Sequence, residues 1–478
     1  MPTIRQLGSM LLASILVAML AGCRWAPTRP DLKRLYSFQS GADTVVPPVI
    51  VIPGILGSRL RDRRTHDDVW PPLTIWSLLF DRQQQLELKF DPTSLEVLPD
   101  EIEAYDVFEG ALGQDFYGQI VRTLGDSGGY NRGTPGMPVD PKKRWYYVFA
   151  FDWRQDNVVT ARKLDALIEQ IRRDYGQPTL KVDVIAHSMG GLITRYYLRY
   201  GTKDVLNGND FPVNLRGAAK LHTVILLGTP NLGSVSSVHR LYNGWTLGLR
   251  RISAETLATM PSLYQLFPHP LNDWLIASDG QPRNIDLFDV GVWRTHGWSI
   301  FADSMQAQFS RQGENLAALQ RYFAKQLERA RRFVWALTVP LPETPVKLVV
   351  FGGDCVQTPA RLLAETVNGE TLLRLMPDDV KRRIPGVDYV QRMLEPGDGL
   401  VTKASLLARQ DLNPTAPRSL SIFFPLAYAV FLCENHERLT GNLNFQDNLL
   451  NVLLSQERPW DQPQNINESP VPMVLTKP

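Results

Sequence analysis

The sequence predicts an α/β fold in which a mostly parallel central sheet carries helices on both faces. Short apolar runs bounded by glycine or proline recur along the chain, as buried parallel strands do. An amphipathic helical pattern follows one of these runs, and a second helical pattern follows the next. This alternation is typical of one doubly wound sheet, in which the chemistry takes place beyond the carboxyl ends of the strands.

Five apolar runs are predicted as strands of this sheet: Val49–Ile52, Tyr146–Phe151, Leu180–Ala186, Leu221–Leu227 and Val346–Phe351. A helix is predicted between the second and third strands, because apolar residues recur there at the spacing of one helix face and Gly176 with Pro178 follows. Those residues are Leu164, Leu167, Ile168, Ile171 and Tyr175. A second helix is predicted after Ser188, carrying Leu192, Ile193, Tyr196 and Tyr197.

Two long stretches interrupt the alternation of strands and helices. We interpret residues 60–144 as a lid and residues 234–345 as a cap over the active face, because both are too long for plain loops. The core then comprises residues 46–233, with the lid inserted, and 346–457. Residues 458–478 are rich in Pro, Gln and Asn and are expected to form a loosely held tail.

The lid contains a cluster of large apolar side chains. Trp70, Trp76, Leu79 and Phe80 are candidates for contact with a lipid surface, because amphipathic aromatics beside leucines suit an interface. The alternative is that the same side chains pack the cap onto the sheet. The sequence leaves both interpretations open.

The first 22 residues are interpreted as a targeting segment outside the fold. An apolar run from Leu11 to Leu20 is too short to span a bilayer as a stable helix. It ends in Leu20-Ala21-Gly22-Cys23, which resembles a bacterial lipoprotein signal. The alternative is an ordinary cleaved signal that happens to end in cysteine.

The lipoprotein resemblance implies that cleavage leaves Cys23 as a diacylglycerol-bearing anchor, followed by a tether over residues 23–45. Because Arg24 is not aspartate, the usual sorting pattern implies the outer membrane of a bacterial envelope, with the body facing the periplasm or the cell surface. Several buried acyl chains would make such an anchor effectively permanent.

Composition excludes some classes of function. The 478 residues carry 51 Lys and Arg against 49 Asp and Glu, and no basic run with interleaved aromatics suggests nucleic-acid binding. The three cysteines lack the spacing of a zinc site, so we expect no metal. Besides Cys23 there are Cys355 and Cys433, which are either bridged or separately buried as thiols.

The segment Ala186–Gly191 has the context of a nucleophile elbow, because it follows a predicted strand and opens a predicted helix. The elbow turn is tight, so the residues two before and two after the nucleophile must be small, as Ala186 and Gly190 are. Ser188 is therefore the predicted nucleophile. Its reaction needs a base and pre-aimed donors for the oxyanion.

The oxyanion donors are predicted from the turn that ends the first strand. Val51–Gly57 comprises the end of the first strand and a glycine-flanked turn where an oxyanion loop should lie, so the backbone N–H groups of Ile55 and Met189 are the proposed donors. The alternative is that Gly54 and Gly57 merely shape a turn.

The base and the acid should follow the nucleophile along the chain. His436 is the histidine that lies past the last predicted strand, whereas His187 is expected to point off the elbow. For the acid, Asp354 at the end of the Val346–Phe351 strand competes with Asp398 in a glycine-bracketed turn. Spacing alone does not choose between these two aspartates.

Together these motifs resemble the lecithin–cholesterol acyltransferase and lysosomal phospholipase family of α/β hydrolases, over roughly Val49 to Leu454. The motifs that carry the resemblance are Val51–Ser58, Phe151–Arg154, Ala186–Gly191, Gly228–Ser234, Met260–Ser262, Leu266–Pro268 and the turn at Asp398. The resemblance implies Ser188, Asp398 and His436 as the triad, since the family places an excursion between the last strand and its acid. The cysteine-pinned lid of the eukaryotic members is missing here, because no cysteine lies between Cys23 and Cys355.

The family resemblance implies an acyl-enzyme mechanism on fatty-acyl esters of phospholipids or other lipids, without a cofactor. The acyl group would pass to water, as in a phospholipase, or to a lipid alcohol, as in an acyltransferase. One alternative is an esterase or lipase acting on other carboxylic esters. Another is a non-catalytic envelope lipoprotein built on a hydrolase scaffold.

Overall fold

The computed structural model describes most of the chain. The described residues are 30–37, 46–71, 83–111, 114–247, 250–312, 315–341, 344–408 and 426–454. No helix within these ranges is long and apolar enough to cross a bilayer. The proposed signal peptide, the anchor Cys23 and the tail over 458–478 lie outside the described residues.

Seven parallel strands form the central sheet, and this confirms the predicted fold class. The strands are β1 (Val49–Ile52), β2 (Tyr130–Arg132), β3 (Arg144–Val148), β4 (Val182–His187), β5 (Leu221–Leu227), β6 (Lys347–Gly353) and β7 (Tyr428–Leu432). Their order across the sheet is β7–β6–β5–β4–β1–β3–β2. All five predicted strands are present: β1 and β5 have the predicted ends, and β3, β4 and β6 have slightly shifted ends. The edge strands β2 and β7 were not predicted.

Both faces of the sheet are covered. Alternate residues of β1 enter two separate hydrophobic clusters, with Ile50 and Ile52 in one and Val49 and Val51 in the other. The long helices are α1 (Asn157–Asp174), α2 (Met189–Tyr200), α3 (Leu316–Thr338) and α4 (Leu443–Leu454). Helices α1 to α3 contribute to the first cluster and α4 to the second. Burial on both faces explains why the strands have continuous apolar runs.

Helix α1 has the predicted apolar face and a defined start and end. The Asp156 carboxylate caps it by accepting a hydrogen bond from the Val158 N–H at 2.8 Å. Its Leu164, Ile168 and Ile171 side chains are fully buried. The helix ends just before Gly176, which has a φ of 63° and lets the chain leave the helix.

The stretch predicted as a lid is only partly separate from the core. Ser58–Asp62, Asp68–Trp70 and Ile102–Val107 form a small antiparallel sheet directly after the turn that follows β1. The same stretch also contains β2, which extends the central sheet beside β3. The predicted lid range of 60–144 is therefore wrong at its C-terminal end. Strand β2 escapes the sequence pattern because Tyr130 is its one buried residue.

The cap also has a boundary that the sequence did not predict. Leu275–Ala277 pairs with Leu362–Val367, which in turn pairs with Glu370–Arg374, so one small sheet joins the predicted cap to residues assigned to the core. Helix α3 packs against α2 and thereby attaches the cap to the helix that follows Ser188. The central sheet resumes directly after residue 345 with β6, but the cap is not separate from the residues that follow this strand.

The remaining elements are short. The helices are Leu32–Tyr36, Gly118–Arg122, Val235–Asn243, Ala254–Ala258, Pro261–Tyr264, Val290–Thr295, Asp303–Gln312, Tyr389–Met393 and Lys403–Leu407. The strands are Gly110–Ala111, Gln114–Asp115, Trp245–Leu247, Arg250–Ile252, Val356–Pro359 and Leu394–Gly397. The Val356–Pro359 and Leu394–Gly397 strands pair with each other and bring Asp398 next to the end of β6.

Candidate active site

Ser188 lies at the sharp turn between β4 and α2, with φ 53° and ψ −121°. A positive φ is unfavourable for a residue with a side chain, and such conformations are concentrated at functional sites. Its N–H donates to the Leu227 carbonyl of the neighbouring strand at 2.8 Å, which helps to fix the turn. The turn is also crowded: a Cβ on Gly190 would lie 2.5 Å from the Pro53 carbonyl oxygen. The need for a small residue at 190 thus follows from the packing of this turn.

The structure brings Ser188, His436 and Asp398 together from three distant parts of the chain. The Ser188 Oγ lies 3.0 Å from His436 Nε2, and His436 Nδ1 lies 2.8 Å from Asp398 Oδ2. All three side chains are buried. His436 begins a short 3-10 helix after β7, and Asp398 follows the Leu394–Gly397 strand. This geometry lets Ser188 donate to the imidazole while the imidazole donates to the carboxylate.

The Asp398 carboxylate is held by its own turn. Its Oδ1 accepts from the N–H groups of Leu400 at 3.0 Å and Val401 at 2.7 Å, and this leaves Oδ2 for His436. Asp354 instead pairs with Lys403 at 2.9 Å. Of the two aspartates that the sequence left open, Asp398 is therefore the one that contacts the imidazole.

The turn after β1 lies directly beside Ser188. A Cβ on Gly54 would come within 2.8 Å of the Ser188 Cβ and 3.3 Å of its Oγ. The Gly54 carbonyl accepts from the Gly57 N–H at 3.1 Å. Because the peptide unit is planar and trans, the Ile55 N–H must point away from that bond. The Met189 N–H opens α2 and has no partner within the helix, as expected for a first-turn amide.

Two residues that the sequence analysis did not select also belong to this site. The prediction that His187 points off the elbow is wrong: its partly buried ring lies with its centroid 4.8 Å from that of His436. Its Nδ1 lies 2.7 Å from the Tyr117 hydroxyl, and that hydroxyl accepts from the Gly54 N–H at 2.7 Å. Adjacency to Ser188 was the available signal for His187, whereas no motif pointed to Tyr117.

Cys355 and Cys433 form a disulfide, which resolves the alternative that the sequence left open. Cys433 is three residues before His436, and Cys355 is followed by Val356, which forms a β-bridge with Asp398. The disulfide therefore ties the segment that carries the imidazole to the strand pair that carries the carboxylate.

Of the aromatic lid residues, Trp70 can be described. Its indole N–H donates to the Leu56 carbonyl at 2.8 Å, and its ring contacts the Trp153 ring edge to face. These contacts fit the packing interpretation of Trp70. Trp76, Leu79 and Phe80 lie outside the described residues.

Electrostatic contacts fix the strand-end motif that includes Trp153. Arg154 is fully buried and binds the Asp152 carboxylate through two hydrogen bonds, at 2.9 and 2.8 Å. It also contacts Asp100 at 2.7 Å. These acidic partners raise the pKa of Arg154 although burial opposes the shift. The pair joins the end of β3 to the stretch predicted as a lid, as expected for a structural Asp–Arg pair.

With this geometry established, comparison with known proteins identifies the family. The sequence profile of the lecithin:cholesterol acyltransferase family matches residues 142–406, which is more than half of the chain. The chain belongs to the lecithin:cholesterol acyltransferase family. The matched range includes Ser188 and Asp398 and ends before His436, which the structure places beside them.

Two relatives match part of the chain. Uncharacterized protein YJR098C of Saccharomyces cerevisiae is 24% identical over 282 residues, which are 56% of this chain and 36% of the yeast protein. Lecithin-cholesterol acyltransferase-like 4 of Arabidopsis thaliana is 24% identical over 255 residues, or 48% of this chain and 44% of the plant protein. The matches thus cover less than half of either relative.

A solved structure shares the fold. One chain of the Tle4-Tli4 complex superposes with a TM-score of 0.52 at 14% identity, covering 86% of this chain and 98% of that chain. At this identity the likeness shows the fold alone. The substrate must be argued from the site and from the family.

Proposed function

We propose that this protein cleaves fatty-acyl esters of lipids through an acyl-enzyme on Ser188 and passes the acyl group to water or to a lipid alcohol. The observation that carries the proposal is the hydrogen-bonded chain from Ser188 through His436 to Asp398 beside the turn at Gly54. Membership in the lecithin:cholesterol acyltransferase family supports lipid acyl esters as the substrate class.

In the first half-reaction, the Ser188 Oγ attacks the ester carbonyl carbon while His436 Nε2 takes the hydroxyl proton. The Oγ–C bond forms, and the carbonyl electron pair moves to the oxygen, which the N–H groups of Ile55 and Met189 bind. Asp398 stabilises the imidazolium through Nδ1. When the oxyanion collapses, the C–O bond to the lipid alcohol breaks, and His436 returns the proton to that alcohol.

In the second half-reaction, an incoming hydroxyl attacks the acyl-enzyme. His436 Nε2 takes its proton, the tetrahedral oxyanion forms again in the same place, and the Ser188 Oγ leaves with that proton. Water gives a free fatty acid, whereas a sterol or another lipid alcohol gives a new ester. How well the site excludes water and seats the alcohol decides between these products.

For the anchor, we propose that Cys23 carries the diacylglycerol that its sequence context implies. The protein would then act on lipids of the bacterial envelope to which it is bound. Metabolic labelling with an alkyne fatty acid in a bacterial host tests this proposal. Label and membrane association should both be lost in Cys23→Ser, and equal labelling of both proteins would contradict it.

Reaction with a fluorophosphonate probe tests the nucleophile. The wild-type protein should be labelled, and Ser188→Ala should not be, because the probe traps the activated serine as a stable phosphonate ester. Ser94→Ala, at an exposed serine of a loop, is the matched control and should label normally. Labelling of Ser188→Ala to the wild-type level, or a wild-type protein that stays unlabelled, would contradict the proposal and favour a non-catalytic role.

The substrate class is tested with vesicles of phosphatidylcholine that carry a labelled acyl chain, with and without a sterol or a long-chain alcohol. Release of labelled fatty acid in the absence of the alcohol would establish water as an acceptor. Formation of labelled ester in its presence would establish the alcohol as an acceptor. Rapid turnover of short-chain nitrophenyl esters, without any release from vesicles, would instead favour an esterase for other carboxylic esters.

A further inference from the structure

A chain of hydrogen bonds connects the turn after β1 to the backbone of His436. The Gly54 N–H donates to the Tyr117 hydroxyl at 2.7 Å, and this hydroxyl lies 2.7 Å from His187 Nδ1. The other ring nitrogen of His187, Nε2, lies 3.3 Å from the His436 carbonyl oxygen. Tyr117 is buried and His187 is partly buried. We call these two side chains the Tyr117–His187 bridge.

The donor and acceptor capacities of these groups determine which atom carries each hydrogen along the bridge. An amide N–H can only donate, so the Tyr117 oxygen accepts from Gly54 and has its own hydrogen to give to His187 Nδ1. Nδ1 is then the acceptor nitrogen, and a neutral imidazole carries its hydrogen on Nε2. This hydrogen meets the His436 carbonyl oxygen, which can only accept.

The surroundings keep His187 neutral, as this arrangement of hydrogens requires. Burial lowers the pKa of His187 well below its ordinary value, and the nearby His436 lowers it further, while the hydrogen bond to the His436 backbone opposes the shift. Burial also raises the pKa of Tyr117, which keeps its hydroxyl protonated. A neutral bridge adds no charge beside His436.

The bridge joins the parts whose relative position matters for the reaction. The Tyr117 ring packs against the turn so closely that a Cβ on Gly57 would lie 2.8 Å from it. The bound amide of Gly54 immediately precedes Ile55, the proposed oxyanion donor. At its other end the bridge holds the backbone of His436, the proposed base. The bridge therefore links the oxyanion turn to the base without passing through Ser188.

We propose that Tyr117 and His187 are positioning residues that hold the oxyanion turn over Ser188 and fix its position relative to His436. The proposal rests on the function proposed above. Neither side chain takes a proton from the substrate or donates to the oxyanion. Their role is to keep the Ile55 N–H where the oxyanion forms, because a displaced donor stabilises the transition state less.

Tyr117→Phe tests the first half of the bridge, because it keeps the ring and removes the hydroxyl. The Gly54 amide and His187 Nδ1 both lose their partner. We expect kcat to fall by roughly 10- to 100-fold, less than for complete loss of an oxyanion donor, with KM changed by less than about threefold. The matched control is Tyr264→Phe, which removes a buried hydroxyl bonded to the Ala258 carbonyl in the cap and should keep kcat.

Two variants of His187 test the second half. His187→Asn can place an amide oxygen near the former Nδ1 and keep an acceptor for Tyr117, whereas His187→Leu keeps bulk without hydrogen bonds. We expect kcat to decrease in the order wild type, His187→Asn, His187→Leu, with the two variants at least about threefold apart. Equal kcat of the two variants would contradict the proposal.

The rate of inactivation by a fluorophosphonate gives a second readout, since phosphonylation of Ser188 uses the same donors and needs no lipid. In Tyr117→Phe the rate of inactivation should fall in parallel with kcat, while the melting temperature of the protein stays unchanged. A Tyr117→Phe protein with wild-type kcat and inactivation rate would overturn the proposal. So would a loss explained entirely by unfolding, as measured by circular dichroism.

The imidazole nitrogen chemical shifts separate failure of this proposal from failure of the proposed function. In the wild-type protein these shifts should show that His187 is protonated on Nε2 alone. In Tyr117→Phe the chemical shift of Nδ1 should change. If the wild-type protein does not react with the probe but the shifts are as expected, the proposed function is wrong and the positioning role falls with it. Shifts that show hydrogen on Nδ1 would overturn the bridge itself, whatever the activity.

Discussion

Asp398 and His436 are joined twice. The Asp398 carboxylate lies 2.8 Å from the imidazole Nδ1, and the Asp398 backbone carbonyl accepts from the His436 N–H at 2.9 Å. The second bond joins backbone atoms and fixes the position of the His436 Cα relative to the Asp398 carboxylate. The imidazole therefore has little freedom to turn away from Ser188.

This double link predicts unequal effects of two aspartate substitutions. Asp398→Asn should lower kcat by roughly 10³- to 10⁴-fold, because the amide favours the wrong imidazole tautomer and cannot stabilise the imidazolium. Asp354→Asn should stay within about threefold of the wild type, because Asp354 makes a partly exposed ion pair with Lys403. Initial rates on an acyl ester check both. If Asp354→Asn had a strongly reduced kcat and Asp398→Asn remained active, the acid would have been assigned to the wrong residue.

Gly190 predicts a steric effect on the site. In Gly190→Ala the new methyl group would lie 2.5 Å from the Pro53 carbonyl, so the elbow and the oxyanion turn must move apart. We expect a loss of about 1–3 kcal/mol in the free energy of unfolding, as for other overpacked sites, together with a lower kcat. Urea unfolding and initial rates measure the two effects.

The matched control for this substitution is Gly208→Ala. A Cβ on Gly208 would have no atom within 4 Å, so the change should leave both quantities near their wild-type values. Equal stability and equal kcat of the Gly190 and Gly208 variants would show that the elbow is less crowded than this packing requires.

The disulfide predicts a combined effect on stability and activity. Removing both sulfurs in Cys355→Ser/Cys433→Ser reopens a loop with a sequence separation of 78 residues. Disulfides typically contribute about 2–4 kcal/mol, mainly by restricting the unfolded chain. Because the bridge lies next to the segments of Asp398 and His436, kcat should also fall. An unchanged urea midpoint, with unchanged kcat, would contradict this prediction.

The core strands and the elbow could be predicted from the sequence because local patterns determine them. Strand β1 is an unbroken apolar run, and β5 ends in one over Val224–Leu227, because both lie between two buried faces. Ser188 was recognisable because the tight turn restricts the residues two positions before and after it. The family resemblance then favoured Asp398, which spacing alone had not separated from Asp354.

The parts that were missed depend on contacts between distant segments. Strand β2 has a single buried side chain, and only its pairing with β3 makes it a strand. His187 is adjacent to Ser188 in the sequence, but its contact with Tyr117, 70 residues earlier, exists only in the folded chain. The small sheet that joins Leu275–Ala277 to Leu362–Val367 likewise depends on long-range pairing. Periodicity cannot report such contacts.

His269 predicts how stability depends on pH. Its ring is buried against Trp335, its Nδ1 accepts from the Leu271 N–H at 3.2 Å, and its Nε2 lies 3.1 Å from the Thr338 hydroxyl. Burial, followed by the charge of Arg195, lowers the pKa of His269 to about 3. The folded protein thus holds a neutral imidazole that the unfolded chain protonates near its ordinary pKa of about 6.5.

The sign of the effect follows from this difference. A histidine whose pKa is lower in the folded protein than in the unfolded chain leaves the free energy of unfolding at its full value above the unfolded-chain pKa. As the pH falls from that pKa toward the folded-state pKa, the free energy of unfolding decreases. Between about pH 7 and pH 4.5, His269 should therefore lower the free energy of unfolding by roughly 2–3 kcal/mol. His187 acts in the same direction, since its pKa is also lowered.

Urea unfolding at several pH values measures this dependence. His269→Gln keeps a side-chain donor for Thr338 but takes up no proton, so its stability should fall less steeply below about pH 6.5 than that of the wild type. His66→Asn, at an exposed position with positive φ that asparagine tolerates, should keep the wild-type slope. If His269→Gln and the wild type lost stability in parallel on acidification, the buried neutral imidazole would not be the group that limits acid stability.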